Sequence, residues 1–429
     1  MSKAVLDIND KPTAGQLVTL SFQHMFAMFG STILVPQLVG LSPAIALLTS
    51  GIATIIFLLI TQFKVPAYLG SSFAFIAPIL AVGGLENGAS VNPGNAMMGA
   101  MAVGVVYGIV SLLIWTTGYK WLMRLLPPIV VAPVIIVIGL GLSGTAVDMA
   151  MNVNGEYSFK HFSAALVTLF AAIIFNVYFK NILSTMPILL GLIVGYVYSA
   201  IIGIVDFTPV SQAKMFALPD FLIPGVDYEF KITSTILLAM VPIVIVTISE
   251  HIGHQLVLGK VVNRNYIKDP GLNRSLLGDG LGTFVSAFIG GPPKTTYGEN
   301  IGVLAITRVF SVYVIFGAAV LAILFSFLGK AMALIQTIPT AVLGGISILL
   351  FGIIASSGLR MLVENNIDFG NNRNMVIASV ILVVGIGGAS LRLFDELFTI
   401  EGMALAAIVG VILNLVLPGR PRQENELEE

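Results

Sequence analysis

The 429-residue sequence predicts an all-α polytopic membrane protein, with fourteen transmembrane segments arranged as two inverted seven-span repeats. Three observations predict it: a composition unfit for a water-facing surface, charge-free stretches that tile the chain, and one abnormal segment at the same place in each half. Charged residues make up 10% and hydrophobic residues 57%, with mean hydropathy +0.98. A soluble domain carries roughly 25% charged residues, so a soluble enzyme, a nucleic-acid binder and a disordered scaffold are all poor readings. The formal net charge is -1 and no basic stripe advertises a nucleic-acid partner. With Cys 0 there is no disulfide framework, thiol nucleophile or cysteine-ligated metal. The 44 glycines suit closely packed helices in lipid.

A spanning helix needs about 20 apolar residues. Asp, Glu, Lys and Arg are missing from Pro12–Phe63, Val65–Leu85 and Asn87–Tyr119, and from a series of later runs that ends with Gly402–Gly419. Splitting the longer runs at Gly/Pro/Ser breaks such as Gly40-Leu41-Ser42-Pro43 places spans at 17–40, 43–62, 66–84, 94–116, 126–147, 161–179 and 183–205, then at 232–258, 273–290, 295–311, 312–333, 335–359, 374–391 and 400–418. The first dozen residues are polar and the first apolar run is too long for an h-region, so no cleavable signal peptide is expected.

Positive residues mark the cytoplasmic side. Eleven Lys/Arg fall in even-numbered loops and four in the tails; six fall in odd loops, Lys294 among them. Both termini are therefore expected in the cytoplasm, and Asp206–Lys231 is expected to be the largest outside loop.

That loop separates seven spans from seven. A repeated odd-numbered half must re-enter from the opposite face, which is the architecture of many secondary transporters. The repeats are thus 1–205 and 232–429, joined by 206–231. The third span of each half is abnormal: Pro66–Pro78, and Gly290-Gly291-Pro292-Pro293 running on to Gly302. Both are short and crowded with Gly, Pro, Ser, Thr and aromatics. Broken backbone at membrane depth survives only where it lines a cavity or is buried in protein, and paired interruptions point to a midplane binding site. Ordinary kinked helices are the plainer reading.

Ionisable groups at membrane depth are functional candidates. Glu250 and His254 are four apart and share a helix face, so a proton on the carboxyl could be relayed or shared one turn away. The other reading is a solvated cap at the cytoplasmic end of span eight. His251 points about 100° away on the helical wheel and reads as structural. Glu299 lies in the second broken segment, beside Asn300 and behind Tyr297-Gly298. Its carboxylate can accept from ring N–H groups, while backbone N–H groups at a half-helix start can give to carbonyl oxygens. This suits a small flat solute with alternating N–H and C=O groups. Phe73 and Tyr297 offer stacking faces, although core or lipid packing is the commoner fate of aromatics. His24 either braces neighbouring helices or touches solute. Arg308 fits a cytoplasmic anchor, and Asp279 fits a local cap or hydrogen bond. The chain holds no Walker-type loop, no His-Glu-x-x-His zinc motif and no Gly-x-Ser-x-Gly elbow, so no catalytic or metal site is expected.

The run Glu299-Asn300-Ile301-Gly302 through Thr307-Arg308 resembles the signature of the nucleobase–ascorbate transporters (nucleobase:cation symporter-2), and Gln23-His24 resembles that family's first-span motif. With Pro66–Pro78 and Ser249–His254, the resemblance runs over nearly the full length. Glu at 299 favours the bacterial uracil-permease branch. The resemblance implies short antiparallel strands in spans three and ten. It also implies a core domain of spans 1–4 plus 8–11 and a gate domain of spans 5–7 plus 12–14. It implies a proton-coupled uracil importer of the bacterial cytoplasmic membrane, working by alternating access with no cofactor beyond the proton gradient. Glu250 and Glu299 would bind the pyrimidine, with Phe73, Tyr297 and Gly298 completing the pocket. Glu250, His254 and Glu299 would couple protons. His24, Ser72, Asn300 and Phe351 are secondary candidates. Uracil permeases carry Tyr where this chain has Phe351, which puts a gate-side hydrogen bond in doubt. Relatives suggest a homodimer through the gate domain. Another nucleobase, such as xanthine, thymine or a broader pyrimidine set, remains an alternative, as does an anion carrier of the same fold.

Overall fold

A computed structural model of the chain describes residues 4–86, 89–179, 181–393 and 398–419. It is mostly helical. The first part runs α1 (Ala14–Leu38), α2 (Pro43–Ile60), β1 (Leu69–Ser71), a tight helical turn at Phe73–Phe75 and α3 (Ile76–Gly83). A small pair, β2 (Leu85–Glu86) and β3 (Ala89–Ser90), precedes α4 (Pro93–Thr117), α5 (Lys120–Leu125), α6 (Pro128–Gly141) and α7 (Ser143–Met151). A second pair, β4 (Asn152–Val153) and β5 (Glu156–Tyr157), leads to α8 (Phe159–Val177) and α9 (Pro187–Ile201). After the connecting loop with α10 (Thr208–Gln212) come α11 (Ser234–Met240), α12 (Ile243–Val262), α13 (Leu272–Phe288), β6 (Lys294–Thr296) and α14 (Gly298–Thr307). The last part is α15 (Val312–Ser326), α16 (Gly329–Gln336), α17 (Thr340–Glu364), α18 (Asn372–Ile386), the pair β7 (Ser390–Leu393) and β8 (Phe398–Glu401), and α19 (Gly402–Val416).

Local chemistry sets these boundaries. Thr13 and Gln16 form a capping box at the start of α1. Pro43, Pro93, Pro128 and Pro187 open their helices, where a missing N–H costs nothing. Val241-Pro242 divides α11 from α12, because proline cannot supply the N–H that would continue the ladder.

Among the described residues, seven helices are long and apolar enough to cross a membrane, counting α6–α7 and α11–α12 each as one; an eighth appears if α15 and α16, bent by 84°, form one span. Each sequence window holds a helix or a broken one, with revised limits. The fifth runs on to Met151, the tenth keeps only ten helical residues, and the eleventh breaks at Phe327–Leu328. Helices α1, α2, α4, α13 and α15 pack on one another; α6, α7, α8, α9, α17, α18 and α19 form a second set. α12 touches both, through α6 and α19 on one side and β6 and α14 on the other.

At the centre, β1 and β6 pair antiparallel in the register Leu69↔Thr296, Gly70↔Thr295 and Ser71↔Lys294. Two flanking bonds extend the pair, Ser72 N–H to Pro293 O (2.9 Å) and Tyr297 N–H to Tyr68 O (3.0 Å). A two-stranded ribbon leaves two open edges, which apolar surroundings do not forgive. One threonine closes each edge. Thr54 of α2 accepts from Leu69 N–H (2.9 Å) and donates to Leu69 O (3.4 Å). Thr283 of α13 accepts from Lys294 N–H (3.0 Å) and donates to Lys294 O (3.0 Å).

This corrects one expectation. Lys294 is no outside-loop residue: it opens β6 and is 1% exposed. A span-length window cannot see a charged residue that sits at membrane depth in extended backbone, so the charge count assigned it to the nearest loop.

Candidate functional site

The site grows out of the two interruptions. Gly290, at φ +95°, turns the chain out of α13, and the following Pro292-Pro293 forbid a return to helix. The chain stays extended through Thr296, then starts α14 at Gly298. Tyr297 caps α14 without a side-chain hydrogen bond, and Ser72 likewise precedes its helical turn without one. The first N–H groups of α14 are therefore offered to the site, with the partial positive charge of a helix start.

Glu299 lies in that first turn and accepts from Ser31 Oγ of α1 at 2.9 Å. Glu250 projects from the middle of α12, so it is no solvated cap at a helix end. Among the described residues its Oε2 has no hydrogen-bond partner, and its helix packs against α14, which carries Glu299. His254, one turn on, lays its ring against Gly298: a Cβ there would stand 3.0 Å from Nε2. Its Nδ1 also lacks a partner among the described residues. Glu250, His254, Gly298 and Glu299 thus come together.

Phe73 is buried at the start of the Phe73–Phe75 turn and meets Phe351 of α17 edge to face, centroids 6.1 Å apart at 81°. This contact joins the strand-bearing set of helices to the other set. Ser72 is buried with its hydroxyl unpartnered. Tyr297 takes a different place from the one its sequence position suggested. Its ring covers Gly70 across the ribbon, and its hydroxyl donates to Ser71 O at 3.2 Å, so the side chain clamps the strands and only its backbone lies beside Gly298. Asn300 donates to Pro66 O at 3.0 Å and ties α14 to the approach to β1. His24 is buried on α1, seven residues before Ser31, which puts it about 10 Å along the same face. Arg308 ends α14 in left-handed backbone, and its carbonyl accepts from Val5 and Leu6.

Sequence reasoning missed several supports. Ser31 is one; its only signal was a hydroxyl in an apolar helix. The long-range partner of Asp279 is another, while His251 is structural, as its place on the helix suggested. The His251 ring is fully buried, with Nδ1 2.8 Å from Asp279 Oδ2 and Nε2 2.9 Å from Ser275 Oγ. Thr296 Oγ1 of β6 reaches the same Nδ1 at 3.4 Å. Asp279 is therefore not a local cap; it bonds across to another helix.

Gly70 shows how tightly the ribbon is built. A Cβ at Gly70 would fall within the Tyr297 ring. Overpacking of this kind costs about 1–3 kcal/mol and more where backbone must move. Gly70→Ala should lower the thermal midpoint in detergent by roughly 1–3 °C. Gly108→Ala on α4, where an added Cβ meets nothing within 4 Å, should leave it unchanged.

Comparison with known proteins places this geometry. The Permease family model matches residues 15–393. The chain is 64% identical to the uracil permease of Bacillus caldolyticus over 431 residues, covering 100% of this chain and 98% of the relative. It is 57% identical to the uracil permease of Bacillus subtilis strain 168, with the same coverage. The uracil permease of Escherichia coli K12 is 43% identical, over 97% of this chain and 94% of the relative. Among solved structures, the transmembrane domain of the cyanobacterium bicarbonate transporter BicA superposes with TM-score 0.61 at 14% identity, covering 94% of this chain and 97% of that one. SLC26A9 superposes with TM-score 0.69 at 11% identity, covering 93% of this chain and 64% of that one. At such identities the two structures speak for the fold alone. The family match, the full-length relatives and the apolar helices agree: the chain is an integral membrane protein that belongs to the Permease family.

Proposed function

We propose that this chain is a uracil:proton symporter of the bacterial cytoplasmic membrane that works by alternating access. The observation that carries the reading is the meeting of Glu299, at the open start of α14, with Glu250 and His254 from α12 beside the β1–β6 ribbon. The uracil permeases matched along the full chain support the choice of solute.

Uracil is flat, with two ring N–H donors and two carbonyl oxygens. Glu299 and Glu250 accept from the ring N–H groups, and the first N–H groups of α14 give to a carbonyl. Phe73 covers one face, with Phe351 behind it. The hydrophobic gate side contributes shape and no hydroxyl. Two carboxylates this close repel when both are charged. A proton arriving from outside neutralises the Glu250–His254 pair and lets a neutral solute settle between the two acids. Rocking of the ribbon-bearing helices against the α6–α9 and α17–α19 set then opens the site inward, where solute and proton leave. One charge is worth about 2.3 kcal/mol per 100 mV, which supports roughly fiftyfold accumulation.

In this reading the fourteen segments form two inverted sevens, divided into a core (spans 1–4 and 8–11) and a gate (spans 5–7 and 12–14), with both termini in the cytoplasm and a homodimer formed through the gate. The matched edge brackets, Thr54 on Leu69 and Thr283 on Lys294, support the inversion, because they occupy corresponding places on spans two and nine. The two carboxylates speak against an anion carrier, whose solute they would repel.

The test is uptake of radiolabelled uracil into proteoliposomes. An inward acid gradient should drive accumulation at least tenfold above equilibrium, and a protonophore should abolish it. Uptake that ignores the protonophore would remove the symport; stronger competition by unlabelled xanthine than by unlabelled uracil would change the solute.

A further inference from the structure

Lys294 is a buried lysine that the proposed transport cycle does not use. Its Nζ donates to Ala46 O at 3.0 Å, Ser50 Oγ at 2.9 Å and Ser71 Oγ at 3.5 Å. The Ser71 hydroxyl sends its own proton to Thr32 O at 3.3 Å, which frees its oxygen to accept. Among the described residues no carboxylate stands within ion-pair distance of Lys294. An ammonium has three donors and no acceptor, and three oxygens meet this one. A cation at membrane depth is costly and marks a function by default.

The ribbon itself does not require the charge. Leu69 opens β1 as Lys294 opens β6, and each is bracketed by one threonine hydroxyl. An apolar side chain therefore serves at the corresponding place. What distinguishes Lys294 is the cradle. One backbone carbonyl and two hydroxyls, drawn from α2 and β1, form a neutral hard-oxygen set, the kind that suits a hard cation. The ammonium ties those two segments to β6.

We propose that Lys294 is a tethered resident cation. It fills a site that an alkali-metal ion would otherwise occupy, so that the ribbon is set for solute binding with no free metal cation. Shortening the side chain turns the cradle into a monovalent-cation site.

The full-length protein tests this in detergent, with chloride salts of Li+, Na+, K+ and N-methyl-D-glucamine at one ionic strength. The wild-type thermal midpoint should be indifferent to the cation. Lys294→Ser should be lower in N-methyl-D-glucamine and rise by roughly 5 °C in Na+ or Li+. That rise should vanish when Ser50→Ala and Ser71→Ala are added. Lys294→Met, which keeps the length without the charge, should be less stable and deaf to cations. A folded Lys294→Ser that behaves alike in every salt overturns the proposal, as does a Lys294→Met as stable as wild type. Should Lys294→Ser yield no folded protein, Ser50→Ala with Ser71→Ala in the wild-type background decides: a lowered midpoint supports the cradle and an unchanged one overturns it. These readouts need no solute. A second arm rests on the uracil reading: uracil binding by Lys294→Ser should weaken at least tenfold without Na+ or Li+ and recover with it, while the wild type stays within twofold. Failure of wild-type uracil binding would sink that reading and leave the stability arm standing.

Discussion

Glu299→Gln should weaken uracil binding by at least a hundredfold while leaving the folded protein in the membrane. The substitution keeps size and shape, and the amide oxygen can still accept from Ser31 Oγ, which now sits 2.9 Å from Oε1. What changes is the face toward solute: an anionic acceptor becomes an amide whose NH2 meets the ring N–H, donor against donor. Losing a hydrogen bond to a charged acceptor costs about 1.5–3 kcal/mol, and a desolvated donor left unpaired adds about 1–3. The lower-middle part of the combined range, about 3–4 kcal/mol, is already a hundredfold to a thousandfold. The cost to the fold is smaller, since a carboxylate in the first turn of a partly buried helix is worth up to about 2 kcal/mol. Titration calorimetry in detergent and proteoliposome uptake should agree. Binding within threefold of wild type would show that Glu299 does not face the solute.

Much of this arrangement could be read from residue types. The composition and the charge-free runs predicted a polytopic helical protein, because lipid accepts few other chains. The interruptions at Pro66–Pro78 and Gly290–Gly302 were visible because Gly and Pro break helices whatever surrounds them. Glu250 and His254 could be placed on one face from their spacing alone, and Glu299 stood out as an acid in a broken segment. The register of the ribbon was not legible: that Ser71 faces Lys294 depends on two segments more than 200 residues apart. Nor were Thr54 and Thr283, because a threonine inside an apolar helix looks the same whether it bonds its own turn or brackets a neighbouring strand. Lys294 misled for a related reason. Counting rules assume that charge lies outside lipid, and its oxygen partners come from two stretches, α2 and β1, more than 200 residues away in the chain. Tyr297 was read for its ring, whereas the bare backbone of Gly70 decides where that ring goes.

Asp279→Ala should give the largest loss of stability among single changes outside the proposed solute contacts, lowering the thermal midpoint by roughly 3–6 °C. Asp279 and His251 are both fully buried, and their 2.8 Å contact joins α13 to the helix that carries Glu250 and His254. Removing the carboxylate leaves Nδ1 of His251 without its main partner and opens a cavity beside it. A buried polar group left unpaired costs about 1–3 kcal/mol, and the breaking of a buried pair reaches about 3–5. The exposed pair Arg360–Glu364 sets the contrast. Its 2.7 Å contact is an i,i+4 bridge on α17 with the arginine 72% exposed, and such pairs are worth only a few tenths of a kcal/mol. Glu364→Gln should therefore not move the midpoint measurably. Transport should fall with Asp279→Ala as well, because Thr296 of β6 shares the same ring nitrogen at 3.4 Å. When the ring swings free, the strand that leads into Gly298 and Glu299 loses a lateral hold. Thermal unfolding and uracil uptake should thus decline together for Asp279→Ala and stay level for Glu364→Gln. An Asp279→Ala protein with an unshifted midpoint would mean that Ser275 and Thr296 suffice to hold His251, and that the ribbon keeps its place without the carboxylate.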